Sequence, residues 1–160
     1  MPFYQTRGLV SPKRHTVFKR SAKSIYYEEL VSREGFSSIY SNLYHLRMPT
    51  RVSKIGKLYP FKIKKINNKH QARHIQTQDI PDKGDIIYDR IPLLFNDDVI
   101  IHKAHITQSM DSFYRNAHFD EVIYIQSGSG QLFANFGQLE VKSGDYIVIP
   151  RGVIWQLKID

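Results

Sequence analysis

From about Val99 onward, branched and aromatic residues come in short runs, and each run closes on a turn. Val99-Ile-Ile-His-Lys-Ala-His-Ile106 leads into a polar stretch from Thr107 to Asn116. Glu121-Val-Ile-Tyr-Ile-Gln126 is a second β-rich run. Ser127-Gly-Ser-Gly130 reads as a tight turn in which glycine supplies backbone angles that other residues avoid. Gln131-Leu-Phe-Ala-Asn-Phe136, a turn at Gly137, and Gln138-Leu-Glu-Val141 follow. Lys142-Ser-Gly-Asp145 signals another turn before the short apolar run Tyr146-Ile-Val-Ile149. Pro150-Arg-Gly152 closes that run, and Val153-Ile-Trp-Gln-Leu-Lys-Ile159 is the last strand. Short strands at this turn spacing predict an antiparallel sandwich or barrel, and no helical periodicity competes.

The first half has another texture. Ile25-Tyr-Tyr-Glu-Glu-Leu-Val31 and Ser37-Ser-Ile-Tyr-Ser-Asn-Leu-Tyr44 are mixed runs, and prolines at 2, 12, 49, 60, 81 and 92 interrupt the chain repeatedly. Frequent tyrosines bring burial energy that a disordered tail lacks. The reading is an extended, ordered arm over 1–98 with one or two hairpins, laid on a barrel segment over 99–160.

Composition adds three constraints. A hydrophobic share of 41% supports a packed core, and the absence of cysteine removes disulfides and thiolate metal sites. The N-terminus lacks the apolar region of a secretory signal, and no run nears the roughly 20 apolar residues that span a bilayer. A cytoplasmic protein without a membrane partner is expected. Charge divides the chain: residues 1–75 hold 16 of the 23 bases and 3 of the 15 acids, so the remaining residues carry an acidic excess. Opposite-signed halves can attract each other within one subunit or between subunits.

The glycines, proline and glutamate of the second half resemble the two motifs of the cupin superfamily. Glu121 stands seven residues before Gly128, and Gly144, Pro150 and Gly152 follow the spacing of the second motif. The histidine positions do not match. Upstream of Glu121 the slots hold Tyr114, Arg115, Asn116 and Ala117, with His118 out of register, and Trp155 stands where the second motif has histidine. A non-haem iron site needs imidazoles and a carboxylate on one open face, and Glu121 alone survives of that set. A partly buried acid pairing with an arginine or a backbone donor is the preferred reading of Glu121. Trp155 is expected to fill the space with roughly 150–250 Å² of apolar surface.

Further stretches resemble the homogentisate 1,2-dioxygenase family, specifically its N-terminal domain. They are Lys13-Arg-His-Thr16, Tyr27-Glu-Glu-Leu-Val31, Glu34-Gly-Phe-Ser-Ser38, Tyr40-Ser-Asn-Leu-Tyr-His45, Asp120-Glu121, Gly128-Ser-Gly130 and Gly144-Asp-Tyr-Ile-Val-Ile-Pro-Arg-Gly152. The resemblance implies an all-β fold: a degenerate cupin (double-stranded β-helix, jelly-roll) barrel segment with an irregular, basic N-terminal arm, forming the first half of a bicupin. It also implies Fe(II)-dependent ring opening of homogentisate in tyrosine and phenylalanine catabolism. On that resemblance the iron ligands lie in a C-terminal half outside these residues. This chain is expected to hold no catalytic residue, cofactor or metal of its own and to be inactive by itself. Its expected role is scaffold and assembly, with its own C-terminal half or another subunit as partner, in a homo-oligomer.

Other constellations yield to plainer readings. His70 and His74 stand four apart, but flanking Lys69 and Arg73 repel a cation. His102 and His105, in one strand, fall on opposite faces. His15 and His45 suit structural hydrogen bonding. The basic first half, with interleaved tyrosines (Tyr26, Tyr27, Tyr40, Tyr44 and Tyr59) and six lysines from Lys54 to Lys69, suits single-stranded nucleic acid. Yet Phe61-Lys-Ile-Lys64 also alternates as an edge strand guarded by lysine, which is preferred. The alternative function is a stand-alone, metal-free cupin that binds a small molecule in a pocket lined by Trp155, Tyr124 and Phe133.

Overall fold

The computed structural model describes residues 18–32, 34–59, 63 and 72–160, and every regular element among them is a β-strand. The elements are β1 (Lys19–Ser21), β2 (Ser24–Ile25), β3 (Tyr27–Ser32), β4 (Tyr40–His45), β5 (Ile91–Phe95) and β6 (Ile100–Lys103). They continue with β7 (Tyr114–Arg115), β8 (Glu121–Tyr124), β9 (Ser129–Ala134), β10 (Gly137–Lys142), β11 (Tyr146–Ile149) and β12 (Ile154–Ile159). The all-β reading holds, while the strands form several small sheets rather than a closed barrel among the described residues.

The chain divides into two compact units. The first comprises Met1–Gly56, Asn116–Glu121 and Ile149–Val153, and the second Lys57–Arg115, Val122–Val148 and Ile154–Asp160. In the first, β1 pairs with β2 and β3 with β4, both antiparallel. Both of the mixed runs noted in the arm thus form strands. The β3–β4 ladder sets Glu29 opposite Leu43 and Val31 opposite Ser41, and alternation puts these residues with His45 on the more covered face. Ser32 closes the hairpin locally, its hydroxyl accepting from Glu34 N at 3.0 Å, and Ser38 takes a positive φ of 61° within the connection.

The second unit is organised by a four-stranded antiparallel sheet in the order β10-β9-β12-β7. Its register pairs Leu132 with Leu139 and with Leu157, Ala134 with Trp155, and Gly130 with Val141 and Ile159. Paired residues share a face, so the nearly inaccessible Leu132, Val141, Trp155 and Leu157 lie on one side of the sheet. Met110 and Ile147 complete the buried apolar set of this unit. Beyond β7, the segment at Ser109–Met110 covers the free edge of β12. Met110 N donates to Leu157 O at 3.0 Å, and Ile159 N donates to Ser109 Oγ at 3.0 Å. Gln156, on the opposite face, is buried because its Nε2 donates to Met110 O at 2.9 Å, a bond Lys158 Nζ shares at 2.7 Å.

Three expectations change at the level of elements. Gly130 is not a turn residue. It lies inside β9, and an added Cβ would come within 2.2 Å of Lys158 O, so glycine is needed there for close strand approach. Gly128, with φ +89°, supplies the turn. The run from Val99 to Ile106 is not one strand, because β6 stops at Lys103. After it the backbone bonds to a loop: Lys83 N donates to His105 O at 2.8 Å, and Thr107 N and Gln108 N share Gly84 O at 3.0 Å each. The strand β5, paired with β6, adds a hairpin that begins inside what the sequence assigned to the arm.

Candidate functional site

The residues singled out from the cupin motifs fall into both units. In the first, the segment 116–121 is stitched to 149–153. Asn116 O accepts from Gly152 N at 2.7 Å, and Asp120 Oδ1 accepts from Arg151 N at 2.8 Å. Asn116, one of the four candidates for the first-motif histidine slot, spends its side chain on a local turn. Its Oδ1 accepts from His118 N and Phe119 N, both at 3.0 Å. His118 is exposed with its ring near Phe119, centroids 6.3 Å apart. Glu121 is half-buried and engaged in an interaction of its own. Val153 N donates to Pro150 O at 3.2 Å, completing the turn that Gly152 makes at φ +84°.

In the second unit, Trp155 is 1% exposed. Its ring meets Tyr114 edge-on, centroids 5.7 Å apart and planes at 86°. Arg90 lies over the same tyrosine, its guanidinium carbon 5.9 Å from the ring centroid and its Nη2 3.5 Å from the phenol oxygen. The indole Nε1 is buried and makes no hydrogen bond among the described residues. Tyr114, one of the four candidates for the first-motif slot, and Trp155 of the second motif thus meet edge-on, with a cation over the tyrosine. Arg90 has no signal in the sequence, since it belongs to an unremarkable loop and reaches the stack only through tertiary folding.

These donors do not suit iron. An indole N–H only donates and has no lone pair to offer a metal, and Asn116 commits its carbonyl oxygen to two amides. Among the described residues no group of three or more histidine, aspartate and glutamate side chains is placed to hold a metal ion. Of the histidines noted earlier, His45 Nε2 lies 2.8 Å from Glu29 Oε2, and His105 Nδ1 lies 3.4 Å from Asp82 Oδ1. His105 is therefore outside the strand that was to place it opposite His102. His15, His70 and most of Phe61–Lys64 lie outside the described residues.

The three side chains suggested for a small-molecule pocket do not converge. Trp155 pairs with Ala134, so Phe133, one residue on, lies on the other face opposite Gln156. Tyr124 is 52% exposed and stacks on Tyr146, centroids 4.7 Å apart. A cleft of about 450 Å³ does lie on the first unit, lined by Tyr27, Glu28, Glu29, Leu30, Met48 and Thr50 among others. Its Glu29 is already committed to His45.

Comparison with known proteins shows what the chain is similar to. Residues 91–160 match the family model described as "Homogentisate 1,2-dioxygenase N-terminal". This chain is homogentisate 1,2-dioxygenase N-terminal-domain-like. Over 159 residues, 98% of the chain, it is 40% identical to a protein of Saccharolobus solfataricus named as a candidate dioxygenase, and it covers 41% of that relative. Over 59 residues it is 36% identical to the homogentisate 1,2-dioxygenase of Bradyrhizobium diazoefficiens, covering 36% of this chain and 13% of that protein. The chain therefore spans well under half the length of the curated relatives it matches. No solved structure matches it. No helix among the described residues is long and apolar enough to cross a membrane.

Proposed function

We propose that this chain is the non-catalytic, N-terminal part of a homogentisate 1,2-dioxygenase-like enzyme, with a scaffolding and assembly role. The burial of Trp155 at the second-motif position carries the reading: an indole packed edge-on against Tyr114 occupies space that a metal-binding cupin keeps for imidazole. The N-terminal-domain match and the two dioxygenase-named relatives support the same assignment. On this reading the Fe(II) that opens the aromatic ring is held by residues beyond these 160, in a partner half or a further segment, and the protein works as a cytoplasmic homo-oligomer.

The test is anaerobic reconstitution of the chain with Fe(II), gel filtration and elemental analysis, alongside an oxygen-uptake assay with homogentisate. Substoichiometric iron and no uptake are expected. One tightly held iron per chain, or ring cleavage by the chain alone, refutes the proposal. The small-molecule-binding alternative gains nothing from the geometry, because Trp155, Tyr124 and Phe133 point to different places.

A further inference from the structure

We draw no further inference here: the strongest candidate, the exposed, strand-free surface segment 51–59 that sets Arg51, Lys54 and Lys57 beside Val52, Ile55 and Leu58, carries nothing, because nothing in the structure shows what covers it in a chain spanning 41% of its Saccharolobus solfataricus relative.

Discussion

Replacing Trp155 by alanine isolates the packing contribution of the largest fully buried side chain among the described residues. The indole is 1% exposed and packs edge-on against Tyr114, while its Nε1 makes no hydrogen bond among the described residues. The loss is then nearly all apolar transfer plus cavity, which for a buried Trp→Ala change is about 3–5 kcal/mol. Against a total stability of roughly 5–15 kcal/mol this is a large fraction, and it corresponds to a fall in Tm of about 6–20 °C for a chain of this size. Trp155→Phe keeps a ring against Tyr114 and gives up no hydrogen bond, so it should cost only about 1–2 kcal/mol. Urea unfolding followed by far-ultraviolet circular dichroism measures both, since the variants lack the only tryptophan. A Trp155→Ala cost below about 1 kcal/mol refutes the buried stack. Equal costs for the two variants refute the claim that the indole nitrogen is unbonded.

Further outcomes follow from the same geometry. Gly130→Ala pushes a methyl to 2.2 Å from Lys158 O and 3.1 Å from Ile159 Cα, so it should split β9 from β12 and lower stability by about 3 kcal/mol or more. Gly128→Ala meets nothing within 4 Å and should cost only the roughly 1–2 kcal/mol of a left-handed backbone; comparative thermal melts rank the two. Asp120→Ala removes the acceptor of Arg151 N and should cost about 1 kcal/mol, with faster amide exchange at Arg151 as its local signature. The Tyr44 phenol is raised above its ordinary value of 10.0, first by burial and second by Glu28, which faces it across the β3–β4 ladder. A raised folded value means that folding favours the neutral phenol. Its stabilisation is thus complete below pH 10.0 and is lost as pH climbs through the folded value. Urea midpoints measured from pH 9 upward should therefore fall less steeply for Tyr44→Phe than for the native chain.

The strands of the second half were legible because alternation and turn chemistry are local. Tyr146–Ile149 is found where the sequence places it, and the turns at Gly128, Gly144 and Gly152 all have positive φ. The identities of Asn116 and Trp155 were equally legible, since residue type is read directly from the sequence. The hairpin β5–β6 and the role of Gly130 were not, because each depends on a neighbour far along the chain: Ile91 pairs with Lys103, and Gly130 is pressed by Lys158.

By itself, then, the sequence determined that the chain is β-rich and that turns recur at set glycines. Tertiary structure alone decided which side of each strand is covered. It buried Gln156 against Met110, stacked Arg90, Tyr114 and Trp155, and left Val122, Tyr124, Tyr146 and Val148 in the open. The reason is physical: a period of two says that the faces differ, but what covers a face comes from residues far away in the chain.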